Sequence, residues 1–324
     1  GGWGTALACH LSRGGHRVCL WSYEPEVVRS VRETGENRPY LPGVRLPPEL
    51  VVSENMDEVV SGARLVVSVS PSQHVRRVMG EAAAHMDPEA LVVSASKGIE
   101  IDTLDRMCQV LCSLLPPGVE DRIVALSGPS FAVEVARLMP TAVVAAGTSS
   151  EACLEVQRIF TSPVFRVYTN SDVIGVELGG ALKNVIALAA GMVAGLEFEH
   201  NTLAALITRG LAEMTRLGVA MGAEAATFYG LAGLGDIVLT CTGDRSRNRT
   251  VGARLGRGER LTDILAEMTA VAEGLRTTPA VHKLANKHGV EMPIVDQVHA
   301  ILEERKAPKD ALQELMLREP GKES

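Results

Sequence analysis

Up to about residue 169 the chain alternates short, β-branched apolar runs with segments of helical periodicity. Strands are expected at 17–21, 50–53, 65–69, 91–94, 123–126, 141–145 and 165–168. The run Leu65, Val66, Val67, Ser68, Val69 is almost continuously apolar, as a strand covered on both faces should be. Strands spaced by helices in this way build a parallel sheet with crossover connections, so the first half reads as an open, doubly wound α/β sheet. After residue 171 the pattern changes. Long helices are expected at 172–196 and 203–221, then, beyond a glycine-rich interruption, at 261–269 and 279–288, with further turns to about residue 316. The expected organisation is a sheet domain over 1–169 and an all-helical domain over 170–324. The two should pack closely, since no low-complexity linker or internal repeat separates them. The polar end, 320–324, reads as a frayed tail.

Composition narrows the function more than the fold. A chain of 324 residues is long enough for two domains with a core each. The 32 Lys and Arg against 39 Asp and Glu leave a net charge of -7, which offers no general attraction to nucleic acid or an anionic membrane. Neither is expected as a partner, and any anion site must be local. The six cysteines, Cys9, Cys19, Cys108, Cys112, Cys153 and Cys241, form no CxxC pair and no ligand spacing with histidine. Reduced thiols, a cytoplasmic location and no metal site fit that usage. The longest strongly apolar run, 185–196, falls short of the roughly 20 residues that span a bilayer, so it reads as a buried helix and no stable membrane insertion is expected. No basic segment followed by an apolar stretch and a cleavage site stands at the start, so no signal peptide is expected.

The opening residues Gly1, Gly2, Trp3 and Gly4 are the first candidate chemistry. A strand, a tight glycine turn and a helix N-terminus together cradle a dinucleotide pyrophosphate. Gly1-x-x-Gly4 is followed by an amphipathic helix over 5–13 and a strand ending at Trp21. These glycines would be the last two of G-x-G-x-x-G, with the first glycine and first strand expected upstream. A frayed glycine-rich terminus is the plain alternative, and it is the β/α alternation behind the motif that favours a Rossmann-like cofactor site. Glu24 lies where a carboxylate would accept hydrogen bonds from the adenosine ribose, and no arginine stands beside it before Arg29. That weighs NAD above NADP, against the plainer reading of a helix first-turn Glu next to Pro25. Two loops leave strand ends on the crevice side: 94–98, which carries Lys97, and 127–130, which carries Gly128 and Ser130. Ser130 would cap the following helix and leave its amides for an anion; an ordinary helix start and a solvated lysine are the bland readings.

Lys183 is the most informative residue. From Leu178 to Leu196 it is the only charge in an apolar, glycine-containing helix. An unpaired buried ammonium is costly and loses basicity, so it is tolerated chiefly where it is paired or used as an acid or base, although a snorkelling lysine remains the plain alternative. Asn184 follows directly, and Gly175, Gly179 and Gly180 permit close backbone approach. Farther on, Asp236 closes a glycine-rich run and is a plausible partner for the lysine. Arg245, Arg247 and Arg249 then concentrate positive charge in an otherwise acidic chain, where Arg247 and Asn248 would grip phosphate oxygens unless the loop is merely solvated.

In order along the chain, the segments GGWGTALA, SKGIE, SGPSFA, YTNSDVIGVELGGALKNVIALAAG, ALITRGLAEM, GLAGLGDIVLTCT, SRNR and AEGLRT resemble the bacterial-type glycerol-3-phosphate dehydrogenase family. The resemblance spans essentially the whole chain. It implies a Rossmann-like doubly wound sheet followed by an all-helical C-terminal substrate domain. It also implies reduction of dihydroxyacetone phosphate to sn-glycerol 3-phosphate with NADH or NADPH, the step that supplies glycerophospholipid synthesis. By matching position it implies Lys183 as general acid/base and Lys97 as a second active-site lysine. Gly128, Ser130, Asp236, Ser246, Arg247 and Asn248 become substrate contacts, and Gly2, Trp3, Ala132, Val271 and Glu273 become cofactor positions, with Lys97 and Arg247 shared. Many bacterial relatives carry a basic residue where this chain has Glu24, so the chain departs from the residue that accompanies their NADPH preference; NAD is the cofactor favoured, with NADP kept as the alternative. In the implied reaction the Lys183 ammonium protonates the developing alkoxide while Asp236 orients it. Two rivals stay open at this point: a dehydrogenase of another small hydroxy acid on the same fold, and a non-catalytic nucleotide-sensing module. Oligomeric state is not fixed by the sequence, which leaves a homodimer open.

Overall fold

The computed structural model describes residues 1–268 and 271–319. Seven strands lie on the apolar runs: β1 (Cys19–Trp21), β2 (Val51–Ser53), β3 (Leu65–Ser68), β4 (Leu91–Ser94), β5 (Ile123–Ser127), β6 (Thr141–Ala146) and β7 (Phe165–Asn170). Strands β1 and β2 pair in parallel as one sheet, and β3-β4-β5-β6-β7 form a second in that order. The expectation of a parallel sheet throughout is corrected at one pair, because β5 and β6 run antiparallel. Their connection contains only the five-residue helix Ala132–Ala136, too short to cover the sheet and carry the chain back as a crossover. The facing strands β1 and β3 belong to separate sheets and both line one cleft. The strand anticipated ahead of the glycines is not among the described residues.

Alternation along the central strands divides the core in two. Val93, Val124 and Leu126 pack on one face with Leu7, Leu11, Phe160 and Phe165, while Val92, Ile123 and Ala125 pack on the other with Val75, Met79, Val110 and Leu111. Helices thus cover both faces of the larger sheet, as nearly continuous apolar strands require. The first helix, Gly2–Arg13, begins earlier than the expected 5–13, so Gly2, Trp3 and Gly4 form its first turn and Gly1 stands at its N-cap.

The second half is built around the 23-residue helix Val173–Gly195, whose N-cap Asp172 accepts hydrogen bonds from the backbone N–H of Gly175 and of Glu224, each at 2.8 Å. Helices His200–Ala220, Asp236–Thr242, Arg247–Gly256 and Glu273–His288 surround it. Among the described residues two stretches are long and apolar enough to cross a membrane; in Val173–Gly195 83% of the apolar window is buried, and in Ala225–Thr242 44%. The first is therefore the core of the helical domain, apolar all round because it is covered all round. Against Arg247–Gly256 the approach is closest: Gly191 and Gly195 face Gly252 and Gly256, with backbone on both sides.

Helix Glu273–His288 starts well before Pro279, where the sequence suggested a start, and the proline sits inside it. Gly274, Thr277, Thr278, Ala280 and Val281 around it are buried, so packing overrides the lost backbone hydrogen bond. The expected helix at 261–269 is observed as Leu261–Glu267; residue 269 and the tail 320–324 lie outside the described residues. Helices Pro293–Glu303 and Pro308–Leu317 follow. The two halves are clamped by Glu177 of the central helix, which pairs with Arg106 and accepts the backbone N–H of Cys108 at 2.8 Å.

Candidate active site

An open space runs from the gap between β1 and β3 to the boundary of the two halves, and its lining includes Gly1 to Gly4, Glu24, Lys97, Ser130, Ala132, Lys183, Asn184, Ser246, Arg247, Asn248, Val271 and Glu273. Residues far apart in sequence therefore meet along one wall.

At its floor is a shared carboxylate. Asp236 is fully buried and stands in the first turn of Asp236–Thr242. Its Oδ1 accepts from Lys183 Nζ, and its Oδ2 accepts from Lys97 Nζ at 2.8 Å. Lys183 also donates to Thr240 Oγ1 at 2.9 Å, and that hydroxyl donates to the Asp236 carbonyl at 2.6 Å. Lys97 also donates to the Gly128 carbonyl at 2.9 Å. Two ammonium groups and one carboxylate leave the trio with a net positive charge. Burial pushes Lys183 down to about 8, the Asp236 charge opposes that, and the Lys97 charge adds to it. A lysine of that basicity can both give and take a proton near neutral pH.

Asp236, expected to touch the substrate, is enclosed, with both oxygens engaged by the two lysines. Gly128 is also buried off the cleft wall, at φ +132°, where an added Cβ would sit 3.0 Å from Val143 Cα. Ser130 does not cap the next helix. Phe131 occupies the N-cap, and the Ser130 hydroxyl turns back to the Gly128 carbonyl at 3.0 Å, because the turn at Gly128 aims that carbonyl at both Ser130 and Lys97.

The anion wall is the start of helix Arg247–Gly256. Its N-cap Ser246 accepts from the Arg249 N–H at 3.2 Å, and the Arg247 and Asn248 amides have no partner among the described residues. Arg247 opens into the cleft between crowded walls, which lower its pKa through burial. Of the three arginines only Arg245 and Arg247 line the cleft; Arg249 turns to Asp244 at 2.9 Å. Asn248 is largely committed within the protein: it donates to Asn184 Oδ1 and accepts from the Gly274 N–H, both at 2.9 Å. One amide hydrogen remains for a ligand.

The other end of the cleft carries the features expected of a nucleotide site. Helix Gly2–Arg13 has no side-chain cap, so its first-turn amides are free for an anion. Trp3 Nε1 is buried without a partner among the described residues, and a Cβ on Gly2 would fall 2.8 Å from the Tyr40 carbonyl, so a side chain there would force the backbone to shift. Glu24 stands at the N-cap of Pro25–Thr34 but makes no cap bond. Its carboxylate accepts from Tyr40 Oη at 2.9 Å and Ser22 Oγ at 3.3 Å. Glu273 accepts from the Ser72 backbone N–H at 3.2 Å and the Ser72 hydroxyl at 2.7 Å, linking the halves; burial raises its pKa. Val271 is exposed at the rim. These residues fit a dinucleotide with its pyrophosphate at the first helix.

Three contributors were missed in the sequence. Thr240 could have been found, since it stands one helical turn beyond Asp236 on the same face. Tyr40 lies in a turn and Ser72 opens a short 3₁₀ helix, and the partners of both are set only by the tertiary fold.

Residues 1–153 match the family model for the NAD-dependent glycerol-3-phosphate dehydrogenase N-terminus, and residues 172–313 match that for its C-terminus. A protein from Geobacter metallireducens named glycerol-3-phosphate dehydrogenase [NAD(P)+] is 57% identical over 323 residues, covering 100% of this chain and 96% of that protein. The crystal structure of glycerol-3-phosphate dehydrogenase from Coxiella burnetii superposes with a TM-score of 0.93 at 40% identity, covering 98% of this chain and 97% of that one. A ketopantoate reductase from Ralstonia eutropha shares only the fold, with a TM-score of 0.60 at 18% identity over 95% of this chain and 97% of its own. On fold, site geometry and likeness over its whole length, this chain belongs to the NAD-dependent glycerol-3-phosphate dehydrogenase family.

Proposed function

We propose that the cleft reduces dihydroxyacetone phosphate to sn-glycerol 3-phosphate, reversibly, with Lys183 as the proton-transfer group. The observation that carries this reading is the Lys183–Asp236–Lys97 trio beside a helix start whose Arg247 and Asn248 amides have no partner among the described residues. A bound nicotinamide supplies or takes up the hydride. Lys183, as an ammonium, donates to the oxygen that gains charge at the reduced carbon, and in the oxidative direction neutral Lys183 accepts the hydroxyl proton. Asp236 and Thr240 hold the Lys183 Nζ in place, and Lys97 holds substrate oxygens from the other side of the carboxylate. The phosphate lies on the Arg247 and Asn248 amides, with the Arg247 guanidinium, the Ser246 hydroxyl and the free Asn248 amide hydrogen around it. Ser130 and the Gly128 turn shape the opposite side.

The same reading makes residues 1–169 the dinucleotide-binding domain and 170–324 the helical substrate and catalytic domain, with each lending residues to the other's ligand. Gly1 to Gly4 take the pyrophosphate, Glu24 the adenosine ribose, and Ala132, Val271 and Glu273 the rest of the dinucleotide wall. NAD is the preferred cofactor, because a carboxylate fixed by Tyr40 and Ser22 accepts from a ribose hydroxyl and repels an added phosphate. The six cysteines, all free thiols, support a cytoplasmic location. There the product feeds glycerophospholipid synthesis. A homodimer is the assembly attached to this reading, and sedimentation equilibrium tests it. The function itself is tested by following NADH oxidation with dihydroxyacetone phosphate and with unphosphorylated dihydroxyacetone. Turnover should require the phosphate; equal turnover of both ketones would refute the anion wall, and none with either would refute the reaction.

A further inference from the structure

The helix Val75–Ala83 begins at the cleft with an unusual charge pattern. A helix N-terminus carries partial positive charge and favours acidic neighbours, yet its first turn holds no acidic residue and instead carries His74 at the cap, Arg76 and Arg77. Two arginines at the positive end of a helix repel unless each has an anion. Arg76 has one: it turns away from the cleft and grips Glu100 through paired hydrogen bonds of 2.7–3.1 Å. Arg77 has none. Among the described residues it makes no ion pair, and its guanidinium lies over the exposed Tyr23 ring at 5.2 Å from the centroid. Tyr23 precedes Glu24 in the turn after β1, and Tyr23, Glu24, His74 and Arg77 all line the cleft.

A cation and a carboxylate therefore flank the place where the adenosine ribose is read. Glu24 suits a 2′-hydroxyl. It does not suit a 2′-phosphate, whose charge would meet the carboxylate unless a cation stood within reach. We propose that Arg77, held over Tyr23, is the residue that admits the 2′-phosphate of NADP to this cleft, so that selectivity between the two cofactors is set by Arg77 acting against Glu24. The guanidinium carbon lies over the tyrosine ring, and the Arg77 side chain donates no hydrogen bond among the described residues, so its N–H groups are open to a phosphate. The proposal rests on the cleft being a nicotinamide dinucleotide site.

The test is direct binding without substrate, read from the fluorescence of NADH and NADPH titrated with wild type, Arg77→Ala, Arg77→Lys and Arg77→Glu. Arg77→Ala should weaken NADPH on the order of tenfold, as loss of one charge-assisted phosphate contact at an exposed site does, and change NADH less than about twofold. Arg77→Glu should weaken NADPH further, and Arg77→Lys should fall between, keeping the charge without the fork. In the wild type, raising salt should weaken NADPH more than NADH, and Arg77→Ala should narrow that difference. Equal weakening of both nucleotides would overturn the proposal by reducing Arg77 to a support for Tyr23, and so would unchanged NADPH affinity. A wild type that binds neither nucleotide would overturn the cofactor reading itself, and the proposal with it.

Discussion

Replacing Gly191 with alanine should damage substrate binding from a position that touches no ligand. A Cβ at Gly191 would lie 2.1 Å from the Arg249 carbonyl oxygen and 2.8 Å from both Ala253 N and Gly252 Cα. All three are backbone atoms of the helix that begins with Arg247, so no side chain can rotate away. Restoring ordinary contact distances requires that helix to move by on the order of 1 Å. Overpacking a tight core costs roughly 1–3 kcal/mol, and obstruction by backbone puts this substitution at the upper end. Alanine regains about 1 kcal/mol over glycine in helix propensity, leaving a net loss of about 2 kcal/mol. For a domain of this size that lowers Tm by roughly 4–8 °C. The larger effect should be kinetic. Arg247 and Asn248 ride on the displaced helix, and a misplacement of about 1 Å can cost on the order of a hundredfold in kcat/KM. Thermal melts and steady-state kinetics with dihydroxyacetone phosphate measure both. Gly80→Ala is the control, since that Cβ would meet only a leucine methyl at 3.7 Å and should be neutral or mildly stabilising. A Gly191→Ala protein with native Tm and kcat/KM within twofold of wild type would refute the claim that the glycine seam sets the anion wall.

Asp236→Asn should lower reduction at pH 7 by at least about a hundredfold and move the Lys183 titration below about 8, because the carboxylate is what opposes burial and Lys97. A pH–rate profile of unchanged midpoint would contradict it. In wild type, oxidation of glycerol 3-phosphate should rise with pH through about 8 and reduction should fall there, since the first needs neutral Lys183 and the second its ammonium. Glu213 makes a prediction about stability. It accepts the backbone N–H of Ile294 at 2.8 Å and of Val295 at 3.3 Å, capping helix Pro293–Glu303, and burial raises its pKa from 4.5 to about 7. The folded state then holds a proton that the unfolded chain has lost, so this group's contribution to stability should fall as pH rises from about 4.5 through about 7. Urea melts of wild type and Glu213→Gln across that range should show the variant with the flatter pH dependence; parallel curves would be the contrary result.

Much of this was legible in the chain because the signals were local. The seven strands announce themselves as β-branched runs, and a lone charge within 178–196 marks Lys183 without any partner in view. What the sequence does not encode locally is direction and reach. Nothing in residues 141–146 distinguishes a strand that pairs antiparallel with β5 from one that pairs parallel, and the distinction rests on how little helix the connection holds. Pro279 carries a strong local signal that the burial of its neighbours overrides. At the site, Asp236 was recognisable as a partner for Lys183. Its sharing with Lys97 joins residues 139 positions apart, and the divergence of Arg76 and Arg77 depends on where Glu100 and Tyr23 are folded.

The central claim is that Lys183 moves the proton. Single-turnover oxidation of bound NADH by dihydroxyacetone phosphate, comparing Lys183→Ala with wild type, tests it most directly, with NADH affinity measured on the same samples to confirm a folded cleft. The account predicts a rate lower by at least about a hundredfold with NADH affinity nearly intact. A near-normal rate would remove Lys183 from the chemistry.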